Sequence, residues 1–277
     1  MKELFVSDLD GTLLGTDSRV SPASASIISS LSRRGALITV ATARTPATVE
    51  PLLRDVVTTP PAIVFTGAAL WDRTGRRYID PRYFARDSAE AVTRICREAG
   101  LHPFTYTIGD DGIIHTYYHG TPDRKERKFI DERSHLPLKR IHIAPPAEPI
   151  PDYRPSTILV FCLGATDAIN RAATLLRDSG HCSVSAYPDI FNPAVSYLEI
   201  FAPGVSKASA IQRLKASLGA DRVTVFGDNL NDIPMMQAAD TAVAVGNALP
   251  QVKEIADVVI GRNSTDAVAQ YLENFAI

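Results

Sequence analysis

Short, almost uninterrupted apolar runs recur along this chain: LFVS (4–7), ALITVATA (36–43), AIVFTGA (62–68), VTVFGD (223–228), TAVAVGN (241–247) and DVVI (257–260). Apolar runs of this length without polar alternation mark strands covered on both faces. Between them lie segments with helix signals. SPASASIISSLSRRG (21–35) closes on Gly35, and TPATVEPLLRDV (45–56) opens with Thr45 as N-cap and Pro46 as first helical residue. SKASAIQRLKASLG (206–219) runs from Ser206 to Gly219 in the same way. Strands that alternate with helices leave few arrangements open. They predict a parallel sheet with helices on both faces.

The middle of the chain breaks this rhythm. From 82 to 195 the strand candidates include alternating or polar runs: PFTYTIG (103–109), GIIHTYY (112–118), KRIHIA (139–144), STILVFCLG (156–164) and CSVSAY (182–187). GDDG (109–112) has the composition of a hairpin turn. Helical stretches are expected at 87–99, 122–133 and 167–179, and PPAEPIP (145–151) marks a loop. This pattern predicts an antiparallel sheet with helices on one side. With 277 residues there is room for two cores. The expected division is therefore a parallel domain over 1–81 and 196–277, interrupted by an α+β insertion over 82–195.

Two of the apolar runs end in acid pairs. Asp8 and Asp10 follow the first, and Asp228 and Asp232 follow the run at 223–228. Open α/β sheets bind ligands beyond the carboxyl ends of their strands. The spacing of two puts Asp8 and Asp10 on one side, with Leu9 on the other. Alone, Asp-Gly at 10–11 reads equally well as a turn. Two acid pairs at one sheet edge repel unless a cation relieves them. A set of oxygen ligands without His or Cys suits a hard ion such as Mg²⁺. VATARTP (40–46) places Thr42, Ala43 and Arg44 just before a helix start, a geometry that accepts anions. Lys207 falls in the first turn of the helix after Ser206, where a cation opposes the helix dipole. If that helix start faces the acids, Lys207 neutralises them.

DLDGT (8–12), ATAR (41–44), SK (206–207) and GDNLND (227–232), in that order, resemble the four signatures of the haloacid dehalogenase-like phosphatases. The insertion between the second and third resembles the Cof-type branch with its large α+β cap, as does GNA at 246–248. The resemblance runs from Lys2 to about Ala269. It implies an α/β fold, a Rossmann-like core with an inserted cap that reads the non-phosphate part of the substrate. It also implies a Mg²⁺-dependent hydrolase of small phosphomonoesters, sugar phosphates foremost, working through an aspartyl phosphate. Asp8 would be the nucleophile and Asp10 the acid and base. The Asp8 carboxylate, the Asp10 backbone carbonyl and Asp228 would hold Mg²⁺, with Asp232 in its outer shell. Thr42, the backbone of Ala43, Lys207 and Asn231 would bind phosphate oxygens. The alternatives are a phosphomutase of the same fold and a non-catalytic phosphosugar-binding regulator.

Three residues depart from the branch pattern: Ala43 stands where glycine is usual, Thr66 where asparagine is usual, and Ala208 where glycine is frequent. A formal net charge of −2 gives no reason to expect nucleic acid or an anionic membrane as partner. The expected partner is a small phosphorylated metabolite, met by a monomer or small homo-oligomer. Cys96, Cys162 and Cys182 are too widely spaced for a metal motif and read as reduced thiols. No signal sequence or apolar run of bilayer length is present, and a cytoplasmic location is expected. His115 and His119 fall on a strand, so they share no helical face and are not read as metal ligands.

Overall fold

The computed structural model describes residues 1–149, 153–189, 192 and 194–275. It divides into two compact units, Met1–Asp80 with Ser206–Ile277, and Pro81–Val205. In chain order the first unit begins with β1 (Glu3–Ser7), α1 (Pro22–Arg33), β2 (Leu37–Val40), α2 (Pro46–Leu52), β3 (Ala62–Val64), β4 (Ala69–Asp72) and β5 (Arg77–Ile79). The second unit holds α3 (Arg86–Glu98), β6 (Phe104–Ile108), β7 (Ile114–His119), α4 (Arg124–Asp131), β8 (Lys139–Ala144), β9 (Thr157–Ala165), α5 (Thr166–Ser179), β10 (Ser183–Pro188) and β11 (Val195–Phe201). The first unit then resumes with α6 (Lys207–Leu218), β12 (Arg222–Gly227), α7 (Ile233–Gln237), β13 (Thr241–Ala244), α8 (Pro250–Glu254), β14 (Val258–Val259) and α9 (Ala267–Phe275).

The main sheet of the first unit has the order β14-β13-β12-β1-β2, and every neighbouring pair is parallel. β1 and β12, the strands that carry the acids, lie side by side, with Ser7 opposite Phe226. Leu4, Val6, Val223 and Val225 are fully buried, as expected for central strands covered on both faces. The helices are set by the local signals. Ser21 accepts from the Ser24 N–H ahead of Pro22, and α1, whose Ala25 and Ile28 are buried, packs against α9. Ser206 and Ser209 form a reciprocal cap at the start of α6, and Gly219 ends it in the left-handed region. Among the described residues no helix is long and apolar enough to cross a membrane.

The second unit is built on one six-stranded sheet, β10-β11-β9-β6-β7-β8. α3 and α5 cover one face. Val92, Ile95, Ile169, Ala172 and Leu176 pack there against Val160, Cys162, Leu198 and Ile200. Cys96, Cys162 and Cys182 are all free.

Three details differ from the sequence expectation. The 62–68 run is not one strand of the main sheet. β3 ends at Val64 and turns back to pair antiparallel with β4, touching the main sheet by the single bridge Ala41–Ile63. Phe65 and Thr66 both have positive φ, which ends the strand. The insertion sheet is not wholly antiparallel, because β7 and β8 run parallel with α4 as their crossover. The expected boundary at 195–196 falls at the start of β11, a strand the sequence pattern does not mark. This strand lies between β9 and β10 as a member of the second sheet, and that unit continues to Val205.

Candidate active site

β1 and β12 end beside each other, and the loops that follow carry the two acid pairs of the first unit. The Asp8 N–H donates to the Phe226 carbonyl at 3.0 Å, so Asp8 is still held by the sheet. The chain then makes one wide turn over Leu9–Leu13, closed by the Leu14 N–H on the Leu9 carbonyl at 2.9 Å. Gly11 has φ +83° within it. A Cβ there would lie 2.3 Å from Asp228 Oδ2, so only glycine lets this turn approach the second acid pair so closely.

Carboxylate oxygens of Asp8, Asp228 and Asp232 lie within 4.8 Å of one another. Asp8 and Asp232 are buried. Lys207 Nζ joins them, donating to Asp8 Oδ1 at 2.5 Å and to Asp232 Oδ1 at 2.9 Å. The expected neutralisation by a cation at an unfavourable helix position is what the structure contains. Asp232 Oδ2 accepts from the Asp228 and Asn229 N–H groups at 3.1 and 3.2 Å, so both of its oxygens are engaged. Asp228 accepts from the Thr12 hydroxyl at 3.1 Å and is only partly buried.

Three acids lie around one lysine, and the imbalance shows in the titration of Asp8 and Asp228. Burial, reinforced by the Asp232 charge against the pull of Lys207, raises Asp8 to about 7. Burial and Asp232 raise Asp228 to about 6. Burial works to lower the Lys207 pKa, but the charges of Asp8 and Asp232 outweigh it and push the value up, so the lysine stays charged. The donor set is oxygen only, and a hard divalent cation would relieve the remaining negative charge. The residues fit Mg²⁺.

The other expected residues divide into two groups. Thr42 is buried at the end of the second strand, where its hydroxyl accepts from the Arg44 N–H at 3.2 Å. Ala43 is partly buried beside it. Asp10 is not drawn into the carboxylate cluster. Its side chain is paired with Arg44. Asn231 is exposed on the short turn Leu230–Asp232 and makes no hydrogen bond to the acids. The sequence gives no side-chain role to Thr12 or Asn247, and places Arg44 only as part of the anion-accepting turn. Asn247 Nδ2 donates to the Gly11 carbonyl at 2.8 Å, while its Oδ1 accepts from the Asn263 N–H at 2.9 Å. The polar residues within DLDGT, ATAR and GNA were the signal for all three.

The family model of the haloacid dehalogenase-like hydrolases matches residues 5–272. The HMP-PP phosphatase of Serratia proteamaculans is 27% identical over 99% of this chain and 96% of its own length. The pyridoxal phosphate phosphatase of Escherichia coli is 26% identical over 98% and 97%. The crystal structure of a haloacid dehalogenase-like hydrolase from Bacteroides thetaiotaomicron shares the fold at 20% identity, with a TM-score of 0.77 over 99% of both chains. The chain with two acid-ended central strands and a second unit inserted between its signatures belongs to the haloacid dehalogenase-like hydrolases, in their Cof-type branch.

Proposed function

We propose that this protein is a Mg²⁺-dependent phosphatase of small phosphomonoesters, working through a phosphorylated Asp8. The observation that carries the reading is the buried Asp8, held by Lys207 at 2.5 Å at the end of the first strand and faced by Asp228 and Asp232. Phosphoryl transfer asks a protein chiefly for positioning and charge neutralisation. A carboxylate is an established covalent acceptor for that group.

In this reading an Asp8 oxygen attacks phosphorus and the ester oxygen leaves with a proton from Asp10. Water, deprotonated by Asp10, then cleaves the acyl phosphate and regenerates Asp8. Lys207 balances charge on Asp8 and on the transferred oxygens. Thr42, the backbone of Ala43 and Asn231 supply donors to those oxygens. Asp8, Asp228 and the Asp10 carbonyl would hold Mg²⁺, which when bound supplies charge neutralisation for the transferring group. Asp232 acts from outside that shell, since both of its oxygens are already engaged.

The second unit is assigned the recognition of the leaving group. It contains a cavity of about 600 Å³ lined by Phe129, Tyr187 and Tyr197 together with Lys125 and Arg133. Sugar phosphates are the first substrates to try, followed by ring-bearing esters such as pyridoxal phosphate, after the name of one relative.

Asp8→Asn tests the reading. Hydrolysis of a generic phosphomonoester should fall by at least about 10³-fold, and addition of a chelator to the wild type should abolish it. Unchanged turnover in the variant rules out the nucleophile, and activity surviving the chelator rules out the metal.

A further inference from the structure

Arg44 is a charged residue paired with Asp10 that the mechanism above leaves idle. It sits in the turn between β2 and α2, with its N–H on the Thr42 hydroxyl and its carbonyl accepting from the Phe65 N–H at 3.1 Å. Its side chain meets Asp10 in a two-point fork: Nε donates to Oδ2 at 2.8 Å and Nη2 to Oδ1 at 2.6 Å. Such bidentate pairing fixes the plane of a carboxylate as well as its position. Asp10 needs that constraint. Its side chain is 52% exposed, so packing alone does not select one rotamer.

We propose that Arg44 is the positioning residue for Asp10, holding its carboxylate where it exchanges a proton with the leaving oxygen and the attacking water. The inference rests on the phosphatase reading. In the first step the Asp10 proton goes to the bridging oxygen as the P–O bond breaks. In the second, Asp10 takes a proton from the water that forms the new P–O bond. Arg44 itself neither gives nor takes one. The rival role is a direct contact between the guanidinium and the phosphoryl group, and the two roles differ in how they depend on the leaving group. A simple alkyl phosphate expels a strongly basic alkoxide and needs the proton. 4-Nitrophenyl phosphate expels a stable phenolate and hardly needs it.

The experiment measures kcat/KM for both esters with Mg²⁺, and inhibition by inorganic phosphate, in wild type, Arg44→Met, Arg44→Lys and Asp10→Asn. The ratio of the two rates is the readout, because a smaller folded fraction lowers both alike. Arg44→Met should lose about 10–100-fold on the alkyl ester and less than about threefold on the nitrophenyl ester, with phosphate inhibition unchanged. Arg44→Lys should behave like Arg44→Met, since an ammonium cannot reproduce the fork. Arg44→Met added to Asp10→Asn should cost nothing further. Equal losses on both esters, weakened phosphate inhibition and recovery in Arg44→Lys would make Arg44 a phosphate ligand and overturn the inference alone. A wild type inert toward both esters overturns the phosphatase reading and the inference with it.

Discussion

Thr66 shows how a single departure from a family pattern acquires a physical meaning. It has φ 55° and ψ 23°, directly after Phe65 at φ 51°. Asparagine tolerates this left-handed region, whereas a β-branched side chain is strained in it. The strain serves a purpose. The turn directs the Thr66 N–H to the Thr42 carbonyl at 3.0 Å and the Phe65 N–H to the Arg44 carbonyl at 3.1 Å, bracing the proposed phosphate turn from behind. Thr66→Asn should therefore stabilise the protein by about 1 kcal/mol, a rise in melting temperature of roughly 2–4 °C. Calorimetry decides it: a variant that melts at or below wild type refutes strain at this position. The second departure, Ala43, lies in the turn that this bracing supports.

At the scale of elements, the sheet of the second unit carries an unusual charge. Lys139, at the start of β8, is buried, with Nζ 3.2 Å from the Tyr106 hydroxyl and 4.5 Å from the centre of that ring. No carboxylate accepts from it among the described residues. Burial lowers its pKa to about 7, and the nearby Arg133 acts in the same direction. The sign follows from proton counting. An unfolded lysine titrates near 10.5, so from pH 7 to about 10 the unfolded chain binds more protons than the folded one. Stability must rise with pH across that window. Replacing the lysine by an apolar chain of similar length removes the penalty. Lys139→Met should be more stable than wild type by about 1–3 kcal/mol at pH 6, and the difference should shrink towards pH 10. Denaturant titrations at the two pH values test this. A variant destabilised equally at both would show that the ammonium contributes favourable contacts.

On the scale of the molecule, the carboxylates at the ends of β1 and β12 store repulsion that folding must overcome. Asp8 and Asp228 titrate upward to about 7 and about 6 because burial and Asp232 oppose their charge. A cation that binds only the folded arrangement returns that energy, by about 2.7 kcal/mol at a hundredfold excess over its Kd. Mg²⁺ should accordingly raise the melting temperature, and a chelator should reverse the rise. Asp228→Asn should melt no lower than metal-free wild type and lose the Mg²⁺ response. A variant that keeps the full response excludes Asp228 as a ligand.

Much of this organisation is local in origin and was therefore legible in the sequence. Strand and helix identities follow from apolar periodicity and caps such as Ser206 and Gly219, which act within a few residues of themselves. The carboxylate cluster could be anticipated too, because parallel strands end at one sheet edge, although only the pairing of β1 with β12 brings Asp8 to Asp228 and Asp232. What the sequence alone did not decide depends on pairing between distant segments. β11 joined the second sheet because its partners are β9 and β10, and β8 ran parallel to β7 because α4 carries the chain back across. The same holds within the site. Only the folded turn shows that Lys207 divides its protons between Asp8 and Asp232, while Asp10 turns away to Arg44. Short-range propensity is written residue by residue. Which of several like charges receives which counter-charge is settled by distance and burial, and those exist only in the tertiary structure.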